Sequence, residues 1–441
     1  MAPRRPDKKS KKRAKAEALS RAAARGAPAT TTAETEVSPQ LLVRAAEAQL
    51  QEGDAEAALA LATRALERAT KGGGDKNNDE SDDALAALGL LAQASLELGD
   101  LPAARRHYLR AATADPDGAR AGAEKFLCLA QLSEEGGKDS VAWFERGAAA
   151  LKARIQSLEE ETTTARIRRG SRSGVAATAT AAEGAKEEER EELKRKLAMA
   201  LCSVAEVYMT DLSWEGDAEA RCEALVTEAT LTAPELPETW QTLADVRISQ
   251  GRADDARAAL ARGLDLWRGL PPADPRVPDF PSRVALARLL MEVARERDAL
   301  EVLERLVAED DHSVETWYLG GWGLYVMGEK QREQQGEGAA GGGKGKTTKA
   351  AKEGEGTGEK GGGDGDDEED WKASWISSRV WLNQCLHLYQ LQDYEDERLG
   401  EHAKELLAAI AEELGDAPAD DGDDDEDGWE DAGDSDEEMQ E

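Results

Sequence analysis

The stretch "TWQTLADVRISQGRADDARAALARGLDLW", Thr239 to Trp267, decides how this chain folds. Trp240, Leu243 and Ala244, then Ala256, Leu260 and Leu264, recur at helical spacing on either side of Gly251. That is a helix, a turn and a second helix. "GDLPAARRHYLRAATADP", Gly99 to Pro116, repeats the second half, with Ala104 five and Ala111 twelve residues after the glycine. "GDAEAALALATRALERA" places Ala58 and Ala65 at the same offsets from Gly53. A further copy reads from Gly137, with Ala142 and Ala149. A degenerate copy centres on Ala287 and Ala299, and "ETWYLGGWGLYVMG" gives half of another, with Trp317, Gly321 and Gly328.

The period is 34 residues, from Ala229 to Gly263 and from Ala294 to Gly328. Longer spacings contain the insertions "KGGGDKNNDESDD" and "PPADPRVPD". This resembles the tetratricopeptide repeat. Small residues stand where two helices cross, large ones fill the gap to the next pair, and proline ends the second helix. One pair cannot bury its apolar face alone, so pairs stack. The expected fold class is all-α: a tetratricopeptide-repeat superhelix (α-solenoid) of about seven helix pairs with a C-terminal capping helix. First helices are predicted to begin near Gln40, Leu85, Glu124, Leu197, Glu238, Ser282 and Glu315. The expected organisation is a disordered basic N-terminus (1–37), repeats one to three (38–160, with a flexible insert at 71–83) and a disordered linker (161–189). Repeats four to seven with the cap follow (190–414, with a disordered insert at 329–370), then a disordered acidic tail (415–441).

The chain has 441 residues and a formal net charge of -35. Residues 1–25 carry +8 and residues 412–441 carry -17, which leaves -26 on the rest. Such a body repels nucleic-acid phosphates and attracts a basic partner. Direct nucleic-acid binding is therefore not expected, and no apolar run approaches the roughly 20 residues of a membrane span. Cys128, Cys202, Cys222 and Cys385 form no C-x-x-C pair, which fits a reducing compartment.

Catalytic motifs are absent. "AGGGKGKTTK" ends like a phosphate-binding loop at Gly345, Lys346 and Thr347, but Ala340 stands where its first glycine belongs. No apolar strand precedes it and no amphipathic helix follows, so a linker is expected. His107, His312, His387 and His402 are read as structural or surface residues, so no enzyme, cofactor or metal is expected. "RRPDKKSKKRAK" is either a solvated charge run or a nuclear import signal. The acidic tail either keeps the chain soluble or shields a basic client.

The residue after each small crossing residue points into the groove lined by the first helices. Those positions are Glu47, Gln93, Gln131, Glu206, Asp245, Arg288 and Trp322, with Glu238, Tyr318 and Tyr325 on the same faces. The predicted client-binding surface is acidic, with an aromatic patch at Tyr318, Trp322 and Tyr325. Those aromatics either pack on the final helices or form a binding hot spot. Grooves that hold the acidic tails of heat-shock chaperones need lysines and arginines, and only Arg288 is of that kind.

One segment exceeds the generic repeat: "AEVYMTDLSWE" with "DAEARCE", within Ala198–Arg252. It resembles the dedicated assembly chaperones of the fourth large-subunit ribosomal protein. The resemblance implies capture of that newly made basic protein through its long internal loop, escort from cytoplasm to nucleus and release for assembly into pre-60S ribosomes. A monomer that forms a one-to-one complex is expected, with a nuclear import receptor as a further candidate partner. A histone chaperone and a generic interaction scaffold are the alternatives.

Overall fold

The structure, a computed structural model, describes residues 37–71, 81–170, 177–341 and 370–415. The predictions for the remaining parts of the N-terminus, the inserts and the acidic tail, and for the Gly345–Thr347 motif, fall outside the described residues. Two compact units make up the chain, Met1–Asp279 and Phe280–Glu441. The described residues of the first form five helix pairs. These are α1 (Pro39–Gln51) with α2 (Ala55–Lys71), α3 (Asp82–Glu97) with α4 (Leu101–Ala114), and α5 (Glu124–Gln131) with α6 (Gly137–Gly170). The long α7 (Ala177–Met209) pairs with α8 (Ala218–Thr232), and α9 (Pro237–Ser249) with α10 (Ala253–Asp265). The second unit holds α11 (Phe280–Glu292) with α12 (Glu296–Glu309), and α13 (Val314–Gly341) with α14 (Asp370–Leu391). The cap α15 (Glu397–Leu414) follows. No strand occurs among the described residues. The fold is the predicted all-α tetratricopeptide solenoid.

Local chemistry sets the helix boundaries. Ser38, Ser81 and Asp100 accept hydrogen bonds from the backbone N–H groups of Leu41, Ala84 and Ala103, which cap α1, α3 and α4. Pro39, Pro102 and Pro237 occupy first turns, where no N–H is required. Gly53, Gly99 and Gly251 turn the chain between paired helices in the left-handed region, at φ 81°, 76° and 71°. Ala294 holds the equivalent place between α11 and α12 at φ 61°. The crossing residues are closed to solvent: Ala46, Ala58, Ala92, Ala104, Ala244, Ala256, Ala287 and Ala299 are all 0% exposed.

Three predictions need correction. The copy read from Gly137 is out of register by one residue. Ala142 and Ala149 face solvent, while Val141 and Ala148 are buried. Gly136, also at positive φ, is the true counterpart of Gly99. Second, residues 161–189 are not simply a disordered linker. Helix α6 continues to Gly170 and α7 starts at Ala177. The two helices join through Lys186–Glu161 at 2.6 Å and Arg154–Glu189 at 2.7 Å, around the buried Leu158. Third, helix α13 does not end at Gly328 but runs to Gly341, into the insert predicted at 329–370. Arg332 pairs there with Glu413 of α15 at 3.0 Å, and Ser374 Oγ donates to Gln331 Oε1 at 2.9 Å.

A buried ion pair shapes the first unit. Lys125 Nζ meets Asp115 Oδ2 at 2.7 Å, and both residues are 3% exposed or less. Asp115 also accepts from the N–H groups of Arg120 and Ala121, so it folds the loop between α4 and α5. Burial opposes its charge, but these hydrogen bonds prevail and hold its carboxyl below the ordinary range. The second unit also relies on close approach. A Cβ at Gly321 would lie 2.7 Å from Leu382, and one at Gly320 or Gly328 would strike Trp381 or Trp375.

Candidate functional site

The first helix of each pair carries the predicted inner-face residues, one position after a buried small residue. Glu47, Gln93, Gln131, Glu206 and Arg288 are exposed, and Asp245 and Glu238 are half-buried. Contacts place neighbouring first helices side by side. Gln93 of α3, Glu124 and Cys128 of α5 and Lys196 of α7 border one cavity. Across α7 and α9, the Asp245 charge acts on Glu206. Thr242 bonds the buried Cys202 thiol, which desolvation pushes up to about 12.

Glu206 and Glu238 are the electrostatic focus of this face. Burial first, and the Asp245 carboxylate second, push the Glu206 carboxyl above its ordinary range. Its side chain reaches solvent, but the surrounding protein displaces much of the water it needs. Burial also raises Glu238, with Asp279 adding to it. Glu238 Oε2 has no hydrogen-bond partner among the described residues. An arriving ammonium or guanidinium would relieve desolvation and mutual repulsion together.

The second unit treats its inner face differently. Arg288 forms an ion pair with Glu315 of α13. The Tyr318 hydroxyl lies 2.7 Å from His402 Nδ1 of α15. Tyr325 stacks on Trp375 with ring centroids 5.0 Å apart and planes at 3°. Of the three aromatics only Trp322 remains open, at 36% exposure, with His402 edge-on to its ring at 5.7 Å. Tyr318 and Tyr325 are thus packed on the final helices, and Trp322 alone faces outward. Sequence reasoning missed His402 as the partner of Tyr318 and Trp322, since a lone histidine carries no pattern.

The segment that exceeds the repeat consensus acts as a local lock. Tyr208 and Leu212 are buried, and Asp211 Oδ2 accepts from the Gly137 N–H at 3.0 Å. Lys138 pairs with Glu215 and sits 5.6 Å from the ring centre of Trp214. The lock fixes the turn between α5 and α6.

No family model matches the sequence. A protein of Emericella nidulans described as "Probable assembly chaperone of rpl4" is 42% identical over 392 residues, which are 87% of this chain and 84% of that protein. A Schizosaccharomyces pombe protein of the same description is 28% identical over 326 residues, 74% of this chain and 80% of that protein. The solved structure "Assembly Chaperone of RpL4 (Acl4) (Residues 1-338)" is 52% identical, with a TM-score of 0.60 over 68% of this chain and 100% of that one. With 42% identity spanning most of both proteins, and with a paired-helix fold shared with the solved relative, the chain belongs to the family of assembly chaperones of rpl4.

Proposed function

We propose that this chain binds newly made rpl4, keeps it soluble and delivers it for assembly into the large ribosomal subunit, acting by binding and not by catalysis. The desolvated carboxylates of Glu206, with Asp245 acting on it, and of Glu238 carry this reading. They form an anionic strip on α7 and α9 that an extended lysine- and arginine-rich segment, such as the client's internal loop, complements. The acidic body, at net -35, favours fast encounter with such a client. Glu47, Gln93 and Gln131 extend the strip, and Trp322 adds an apolar contact in the second unit. The complex is one-to-one. The basic start "RRPDKKSKKRAK" serves nuclear entry, so the chain works in both cytoplasm and nucleus.

The test is rpl4 binding by size-exclusion chromatography and calorimetry. Changing Glu206, Glu238 and Asp245 to Lys should abolish binding while circular dichroism stays helical, since like charges in a groove cost several kcal/mol. Trp322→Ala should weaken binding even in high salt. Tight binding by the triple variant would move the client off this face. Deleting residues 1–25 and following the chain by microscopy tests nuclear entry.

A further inference from the structure

Gly89 lies in the middle of α3, where only proline is less favourable than glycine. Gly184, on the exposed flank of α7, is likewise unconstrained, but several other glycines within helices have a steric reason. At Gly147, Gly263, Gly321, Gly328 and Gly400 a Cβ would press on a neighbouring side chain. At Gly89 it would meet nothing within 4 Å. Helix packing therefore does not require this glycine. It borders a cavity of about 700 Å³, walled by Ala86 and Gln93 of α3, Tyr108 and Ala111 of α4, and Cys128 of α5.

The charges around this cavity are matched in pairs. Arg120 meets Asp82 at 2.7 Å, Lys125 meets Asp115 at 2.7 Å, and Lys196 lies 4.0 Å from Glu124. The site offers little to a lysine or arginine, in contrast to the desolvated carboxylates of Glu206 and Glu238 on α7 and α9. Its volume lies within the roughly 300–1,000 Å³ of ordinary ligand sites.

We propose that this cavity anchors a large apolar side chain of the bound basic segment, whose backbone crosses α3 at Gly89. The proposal rests on the client reading above. The missing Cβ lets the peptide backbone come close, and the Gln93 amide at the mouth can both donate to and accept from it. Charge attraction alone tolerates sliding along the strip, whereas a filled cavity fixes one register.

Two measurements on the full chain with full-length rpl4 test this. Burial raises all four thiols, so accessibility ranks their reactivity. Cys202, Cys222 and Cys385 are at most 4% exposed, while Cys128 is half-buried in the cavity wall. N-ethylmaleimide should label Cys128 first, and stoichiometric rpl4 should slow that labelling by roughly tenfold or more. Gly89→Leu fills the cavity mouth and improves helix propensity. It should raise the melting temperature yet weaken rpl4 binding by roughly tenfold or more at high salt. Gly184→Leu, on the exposed flank of α7, should raise the melting temperature and leave binding unchanged. If rpl4 binds the parent, but Cys128 labels equally fast in the complex and Gly89→Leu binds like the parent, the cavity proposal is overturned. Cys128 protection without rpl4 that grows with concentration, or vanishes when residues 1–36 are deleted, assigns the cavity to a second copy or to this chain's own arm and also overturns it. If rpl4 does not bind the parent, the client reading falls first.

Discussion

The first helices α7 and α9 of the first unit and α13 of the second solve the same packing problem with different side chains and leave different surfaces behind. On α7 and α9, alanines close the crossing and the next positions hold Glu206 and Asp245 in reach of solvent. On α13, glycines close the crossing, and Tyr318 and Tyr325 turn onto α15 and α14. An aromatic helix face is thus consumed by its own neighbours, while an acidic face cannot be, because carboxylates have nothing to gain from packing on one another. The lesson is that an exposed acidic row on a repeat reports binding capacity more directly than an aromatic row does.

The largest expected effect concerns how the first unit is held. Asp115→Ala leaves the Lys125 ammonium buried without its counter-ion, and breaking such a pair costs about 3–5 kcal/mol. Urea denaturation followed by circular dichroism should show that loss. An unchanged midpoint would mean that the unit does not depend on its buried charge. Gly321→Leu attacks the second unit, where the added atoms collide with Leu382. Overpacking of this kind costs about 1–3 kcal/mol, read as a lowered melting temperature. A neutral result would end the contrast between alanine and glycine crossings.

A smaller effect belongs to the turns. Ala294 carries a Cβ at φ 61°, where Gly251 carries none. Ala294→Gly should stabilise the chain by about 0.5–1 kcal/mol, and Gly251→Ala should destabilise it by about as much. Equal melting temperatures would show that the second unit's turn relaxes freely. The smallest effect is a pH slope. Glu206 and Glu238 have folded pKa values raised above 4.5, so the folded state holds their protons more tightly than the unfolded one. Their ionisation disfavours folding as pH rises from about 4.5 through the raised values. Glu206→Gln with Glu238→Gln should therefore be more stable than the parent at neutral pH, with the advantage vanishing near pH 4.5. Binding of rpl4 by the parent should weaken as pH falls through the same window. An advantage that persists at low pH would trace it to packing and not to charge.

Much of this was legible because a crossing of two helices tolerates only small residues. Ala46, Ala92, Ala244 and Ala287 could be placed before any coordinates, and with them the exposed positions that follow. The third pair was misread because Gly136 and Gly137 stand together and both take positive φ. Their roles are distinguished by tertiary and turn contacts, the Gly137 N–H on Asp211 of a distant loop and the Gly136 N–H on Ser133 Oγ. The helical parts of 161–189 were missed because charge-rich composition reads as disorder, whereas the deciding contacts, Lys186–Glu161 and Arg154–Glu189, join residues 25 and 35 positions apart. The cavity beside Gly89 left one trace, a glycine without a turn, and a single unfavourable residue is a weak signal on its own.

The prolonged helices α6 and α7 show how this architecture absorbs added sequence. A connection lengthened as loose chain carries an entropic cost that grows with its length. A connection lengthened as two joined helices adds backbone hydrogen bonds and i, i+3 pairs such as Lys194–Glu191 with each turn. Because growth runs along the helix axes, the crossings at Ala130 and Ala205 keep their spacing whatever happens farther out. The junction between the third and fourth pairs is therefore a natural graft point, where a fluorescent or affinity module could be carried without shifting the register of the repeats on either side.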